Sequence, residues 1–311
     1  METTSDISLD RPHRYKVIGD CLYRRDSTPY TQEIKIHALG HGHIEATVLP
    51  RYAWSEIDLL TPEAYEAHVM SHTHRWQKIT EKPFIGWVPL IPTDQELLDK
   101  AARNRERSSR RAKTKVRRLC KAKALTTMVT LTYRENQQDR SRMARDFDVF
   151  IKRVRRVVPD FQYVCVFERQ KRGAWHAHLA VPRVLSHYMH QGTLVRSYDL
   201  LRSLWRGVVG LDGGNVDVSR QKRLKRSTAR LASYLSKYIS KGFAEAVDAG
   251  DSYRASGKAL PKPMVFHSGG ASLNDGIGKL CIDLLGPELA SAREFHMALL
   301  DCGGFYLTLS A

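Results

Sequence analysis

The sequence predicts an α+β fold built on an antiparallel sheet, and three observations carry that prediction. Between residues 126 and 219, strand composition and helical spacing alternate in the order β-α-β-β-α-β. Two of those strands are joined by a short glycine-containing turn, a connection open to antiparallel neighbours and not to parallel ones. A further amphipathic helix follows the last strand. This is the ferredoxin-like, RRM-like plan with one added helix and with extensions at both ends.

Each element has its own signature. TTMVTLTY (126–133) is strand-like, and Met143, Phe147, Phe150, Ile151, Val154 and Val158 recur at helical spacing after it. FQYVCVFE (161–168) and WHAHLAVP (175–182) are strands separated by RQKRGA, whose Gly173 suits a hairpin turn. Ser197 is placed to cap a helix running through Leu200, Leu201, Leu204, Trp205 and Val208, after which Gly-Gly-Asn leads into the strand VDVS (216–219). The added helix is expected from Thr228 to Ala246, buried along Leu231, Leu235, Ile239 and Phe243.

Upstream, EIKIHALGHGHIEATV reads as two strands joined at Gly40 and Gly42, and Thr61-Pro62-Glu63 and Thr93-Asp94-Gln95-Glu96 both read as helix starts. Beyond Lys258, Pro261, Pro263 and several glycines leave little pattern, and no internal repeat is present. The organisation expected is therefore an accessory region (1–100), a basic helix or linker (101–124), a central domain (125–246) and a C-terminal extension (247–311).

Composition narrows the function classes. The chain has 311 residues, 42% of them hydrophobic, so it can bury a core. Its 50 Lys and Arg outweigh 33 Asp and Glu, and a formal charge of +17 predicts a polyanionic partner, nucleic acid before any membrane surface. No apolar run reaches bilayer length, and METTSDISLDRPH has neither part of a signal peptide, so a cytoplasmic protein with no membrane partner is expected. The five cysteines are scattered without a C-x-x-C pair and read as reduced, structural thiols. The segment 103–123, with a single acid, is either a solvated helix or a phosphate contact; Arg110, Arg111, Arg117 and Arg118, with Arg169, Lys171 and Arg172 of the hairpin turn, are the candidate DNA contacts.

One constellation carries chemistry. His176 and His178 lie two apart on a strand, so both imidazoles share a face. A hairpin closing symmetrically about residue 172 makes Glu168 the direct neighbour of His176, and three ligands converge. Imidazole and carboxylate donors with open positions suit Mg²⁺ or Mn²⁺, though Zn²⁺ can bind such a set more tightly. Rival pairs are poorer. His72 and His74 fall in or beside an expected helix, where a spacing of two splays them, and His41 and His43 sit in a glycine turn.

On the late helix Tyr234 and Tyr238 share a face, with Lys237 and Lys241 on the same stripe. A phenol is a weak nucleophile at neutral pH and needs a polarised phosphate and nearby positive charge. The metal set answers the first need, and Lys237 or Lys241 the second.

These residues resemble the HUH superfamily of rolling-circle initiators. TLTY (130–133) is similar to its first motif, Glu168 with Trp-His176-Ala-His178-Leu to its metal motif, and Tyr234-Leu-Ser-Lys-Tyr238-Ile-Ser-Lys241 to its tyrosine motif. The last is most like that of the two-tyrosine replication proteins of small single-stranded DNA phages and plasmids. The middle residue of the metal motif is Ala where the family often has a bulky one. The resemblance covers about residues 126–243. It implies site- and strand-specific nicking at a replication origin, a 5′-phosphotyrosine adduct, a free 3′-hydroxyl that primes a host polymerase, and later religation. A phosphate-loop motif is lacking, GIGKL near Lys279 being mis-spaced, so a host helicase is expected to unwind. The competing expectations are a relaxase or transposase with the same centre, or a non-catalytic module using Tyr163 and Phe167 as stacking aromatics.

Overall fold

The structure is a computed structural model, and it describes residues 15–18, 21–57, 76–79, 86–89, 93–210, 213–219, 228–245, 253–257 and 259–310. The expected helix start at Thr61 and the pair His72 and His74 lie outside these residues.

In chain order the first elements are β1 (Tyr15–Ile18), β2 (Cys21–Arg25), β3 (Thr31–Gly40), β4 (His43–Arg51), β5 (Trp54–Ile57), β6 (Trp76–Ile79), β7 (Gly86–Pro89) and helix α1 (Asp94–Ala122). The middle holds β8 (Thr127–Thr132), α2 (Arg140–Val157), β9 (Val164–Arg169), β10 (Trp175–Val181), β11 (His187–His190), β12 (Thr193–Arg196), α3 (Ser197–Val209), β13 (Asn215–Ser219) and α4 (Thr228–Glu245). Then follow β14 (Tyr253–Ala255), β15 (Met264–His267), α5 (Leu273–Gly278), a π-helical turn (Lys279–Leu284), α6 (Gly286–Ser291), β16 (Glu294–Leu300) and β17 (Gly304–Ser310).

The chain forms two compact units, one of residues 1–37, 45–100 and 263–309, the other of residues 38–44, 101–262 and 310–311. The first is built on the five-stranded sheet β15-β3-β4-β17-β16, with Ile34, Ile36, Val48, Leu280 and Leu307 in its core. The hairpin read at Gly40 and Gly42 is present, with both glycines and His41 between them at positive φ. GIGKL is helical here: Gly276 and Gly278 lie in α5, and the Lys279 ammonium donates to the His267 carbonyl at 2.6 Å.

The second unit holds the element order read from the sequence. Its antiparallel sheet runs β13-β8-β10-β9-β14, with α2 linking β8 to β9 and α3 linking β10 to β13. Helices cover both faces, which is why β10 is buried at all seven positions and shows no alternation of apolar and polar residues. On one face α2 and α3 pack Phe147, Phe150 and Trp205 against Leu131, Phe167 and Leu179. On the other, α4 lays Leu231, Leu235 and Ile239 over Val164, Val166 and Ala180. The basic helix α1 joins that second face through Ala112, Val116, Leu119 and Cys120.

Several expectations are corrected in detail. Ser197 does not cap α3. It is the first helical residue and fully buried, the cap position belongs to Arg196, and no side chain bonds the first turn. The inner strand is one residue longer than expected, from Asn215. Cys120 and Cys165 are buried thiols, and burial pushes Cys120 up to about 12, but Cys281 is only half-buried and Cys302 is exposed, so a structural role does not extend to these two.

Gly214 is placed by a close approach as well as by its φ of +77: an added Cβ would lie 2.5 Å from Trp205 Nε1 and 2.6 Å from the Thr132 carbonyl. Those atoms are themselves bonded, the indole N–H donating to that carbonyl at 2.9 Å. Gly214→Ala is therefore expected to cost about 2–4 kcal/mol, read as a lower denaturation midpoint; an unchanged midpoint would refute the close packing.

Candidate functional site

The site is assembled on the α1/α4 face of the sheet. Gly173, at φ +92, closes the turn by donating to the Gln170 carbonyl at 2.8 Å, and the resulting register sets Glu168 opposite His176, as a symmetric hairpin requires. The β10 pleat then places His176, His178 and Ala180 on this face, and Ala177 and Leu179 in the α2/α3 core. The small residue between the histidines is thus a core side chain, fully buried beneath the helices.

The three proposed ligands are differently engaged. His178 Nε2 lies 2.9 Å from Glu168 Oε2, and its Nδ1 lies 3.3 Å from Thr130 Oγ1. The His176 Nδ1 meets the Gln170 amide at 3.1 Å, while its Nε2 is buried with no hydrogen-bond partner among the described residues. Burial first, then the neighbouring His178, lowers the His176 pKa to about 4, so the ring is neutral at pH 7. The rings of His176 and His178 stand 6.3 Å apart. Among the described residues no three His, Cys, Asp or Glu side chains are gathered as a metal-holding group. The donor set nevertheless fits a divalent ion: a neutral imidazole with an unsatisfied buried nitrogen, a second imidazole and a carboxylate share one face. An unmade buried hydrogen bond costs about 1–3 kcal/mol, which a ligand at that nitrogen would relieve.

Both tyrosines of α4 reach this face. The ring of Tyr238 lies flat on His178, centroids 4.1 Å apart and planes 9° from parallel. Tyr234 meets Tyr238 edge-on at 5.0 Å, and the Tyr238 hydroxyl donates to the Tyr234 hydroxyl. Burial of Leu231, Leu235 and Ile239 orients the helix, and the tyrosines flank that apolar stripe half-buried. Lys237 sits farther round, exposed, with no hydrogen bond or ion pair to either phenol. Lys241 is in the same helix, and its side chain falls outside the described residues.

The basic candidates divide. Arg169, Lys171 and Arg172 are exposed on the turn, with Arg169 bonded to the Gly173 carbonyl and Arg172 to the Gln170 side chain. On α1, Arg111 is exposed and Arg118 half-buried, and with Lys115 between them they follow helical spacing away from the buried residues. Arg110 is exposed and paired with Glu106 at 2.5 Å, and Arg117 is half-buried.

Thr130 and Gln170 were missed as site residues. Each bonds the Nδ1 of one histidine, the position from which a neighbour fixes ring orientation and tautomer. Gln170 is in the basic turn, but Thr130 becomes visible only once β8 is known to lie beside β10 with Thr130 opposite His178. Tyr163 and Phe167, the stacking aromatics of the binding-module expectation, are buried against Phe147 on the opposite face and offer no platform to a base.

Residues 126–243 match a family model described as replication-associated protein ORF2. No curated protein and no solved structure matches the chain. The family match supports a replication initiator. No helix among the described residues is long and apolar enough to cross a membrane.

Proposed function

We propose that this chain starts rolling-circle replication as an HUH-class nuclease, nicking single-stranded DNA by transferring a 5′ phosphate to a tyrosine of α4. The observation that carries the reading is the meeting of two motifs far apart in sequence: Tyr238 of α4 lies on His178 of β10, beside Glu168 and His176. The replication family of residues 126–243 favours initiation over the relaxase and transposase versions of the same chemistry.

In the step proposed, a phenolic oxygen of Tyr238 or Tyr234 attacks the scissile phosphorus in line with the departing 3′-oxygen. One phosphoester bond forms as another breaks, so religation needs no ATP. The phenol gives up its proton and the 3′-oxygen takes one. The shared hydroxyl contact assists, because the O–H of one tyrosine can donate to the phenolate of the other and so favour its charged form. His176, His178 and Glu168 would hold a divalent cation, Mg²⁺ or Mn²⁺, which when bound neutralises charge on a nonbridging phosphate oxygen. Thr130 and Gln170 hold the imidazoles in place. Lys237, with Lys241 and the basic residues of the turn and of α1, would lie along the strand's phosphates. The free 3′-hydroxyl would then prime a host polymerase, with a host helicase opening the duplex.

The full chain, incubated with single-stranded circular DNA of its own replicon and Mn²⁺, is expected to yield protein covalently attached to DNA on a denaturing gel, and EDTA is expected to abolish it. Binding without an adduct, over a range of metals and with the origin present, would overturn the reading.

A further inference from the structure

The outward side of α2 and α3, on the sheet face opposite the tyrosines, carries a concentration of positive charge that the proposed chemistry does not use. Along α2, Met143, Phe147, Phe150, Ile151 and Val154 turn inward, which leaves Arg145, Val149, Lys152 and Arg156 as an exposed stripe at helical spacing. The two acids of the helix are committed elsewhere. Asp146 accepts from the Tyr133 hydroxyl at 2.7 Å, and Asp148 is paired with Arg254. Lys152, Arg153, Arg155 and Arg156, in the last two turns, have no ion pair among the described residues. Attraction between cations and the C-terminal end of a helix accounts for one or two such charges, not for four without a counter-charge.

The neighbouring helix extends the patch. The Arg153 guanidinium lies so close over Gly207 of α3 that an added Cβ there would come within 2.6 Å of it, and Arg206 stands exposed one residue before that glycine. Arg202 lies over the Tyr198 ring at 4.0 Å and covers the aromatic surface of this side. The only large apolar side chain exposed on either helix is Val149, at 40%. Sites for single strands combine cations with exposed aromatics on which bases stack. Cations without a stacking surface suit the phosphates of a duplex, which are recognised without regard to base.

We infer that the α2/α3 face is a second nucleic-acid surface, which holds double-stranded DNA by its phosphates while the opposite face works on the single strand. The assignment of two DNA segments rests on the nicking reading above. The sheet lies between the two faces, so one straight strand cannot occupy both, and the duplex flanking the nick is the segment left for this side.

The test compares the full chain with its Lys152→Gln/Arg155→Gln/Arg156→Gln variant, which keeps good helix formers at exposed positions. Binding is titrated over a range of salt against a short duplex of arbitrary sequence and against oligo(dT). The variant is expected to bind the duplex at least about tenfold more weakly near physiological salt, with the slope of log affinity against log salt reduced by about 2–3. Oligo(dT) binding and adduct formation on a single strand should be unchanged. Lys152→Arg/Arg155→Lys/Arg156→Lys, which keeps the charge, should behave as the unmodified chain, and Lys152→Gln alone should lower the slope by about 1. Unchanged duplex affinity and slope would overturn the inference, as would an equal loss for oligo(dT), which would assign this face to the single strand. Failure of the nicking reading shows separately, as absence of an adduct from the unmodified chain.

Discussion

Replacing both Tyr234 and Tyr238 by Phe is expected to abolish the covalent adduct, a loss of about 10⁴-fold or more, the scale on which removal of a nucleophile acts. The substitution keeps both rings, so the flat contact on His178 and the edge-on contact between the two aromatics can persist. What disappears is the pair of oxygens and the hydrogen bond between them. The fold should therefore survive, and a loss of adduct can be assigned to chemistry. With one phenol left, either single variant is expected to nick but to lose the second transfer that releases a closed circle. Full circle closure by Tyr234→Phe would leave Tyr238 as the sole nucleophile, with Tyr234 a supporting hydroxyl. An adduct from the double variant would sink the mechanism.

The second large effect is expected at His176, where stability and metal response should part company. Its buried Nε2 makes no hydrogen bond among the described residues, so a ring without that nitrogen removes an unsatisfied group. His176→Phe is expected to melt in EDTA no lower than the unmodified chain. The unmodified chain should gain Tm on titration with Mn²⁺, because an ion bound only by the folded state stabilises it. The variant should gain little and should form adduct about 10²–10³-fold more slowly. His178→Ala should differ in sign: it breaks the contacts to Glu168 and Thr130, leaves a buried carboxylate unpaired, and is expected to cost about 1–3 kcal/mol even in EDTA. An equal metal-induced rise in Tm in His176→Phe and the unmodified chain would place the metal elsewhere or remove it from the mechanism.

The pairing of Glu168 with His176 was legible because a hairpin reduces to counting: once the turn is located, every opposite residue follows. The tyrosine helix was legible because Leu231, Leu235 and Ile239 mark its buried side. The packing of α1 was not, since Ala112, Val116, Leu119 and Cys120 are hidden among cations, and a helix sheltering one narrow stripe looks solvated when its charges are counted. The first unit was illegible for a different reason. In β17, Phe305, Leu307 and Leu309 alternate cleanly, but the strand pairs with β4, far away in the chain, and β16 beside it is largely exposed. Local patterning can suggest a strand and cannot name its partner.

The hairpin that carries the histidines makes the chemistry depend on a parity. Because β10 is buried on both sides, its alternation assigns His176 and His178 to one compartment and Ala177 and Leu179 to the other. A single residue inserted between Arg169 and Trp175 would have to be absorbed as a bulge, or it would slip the strand by one place and exchange the two sets: imidazoles into an oily layer, alanine and leucine toward the DNA. Two inserted residues would keep the assignment. Lineages of such proteins should therefore tolerate length changes in this turn in even steps far more readily than in odd ones, a constraint on its history that no inspection of the histidines alone would reveal.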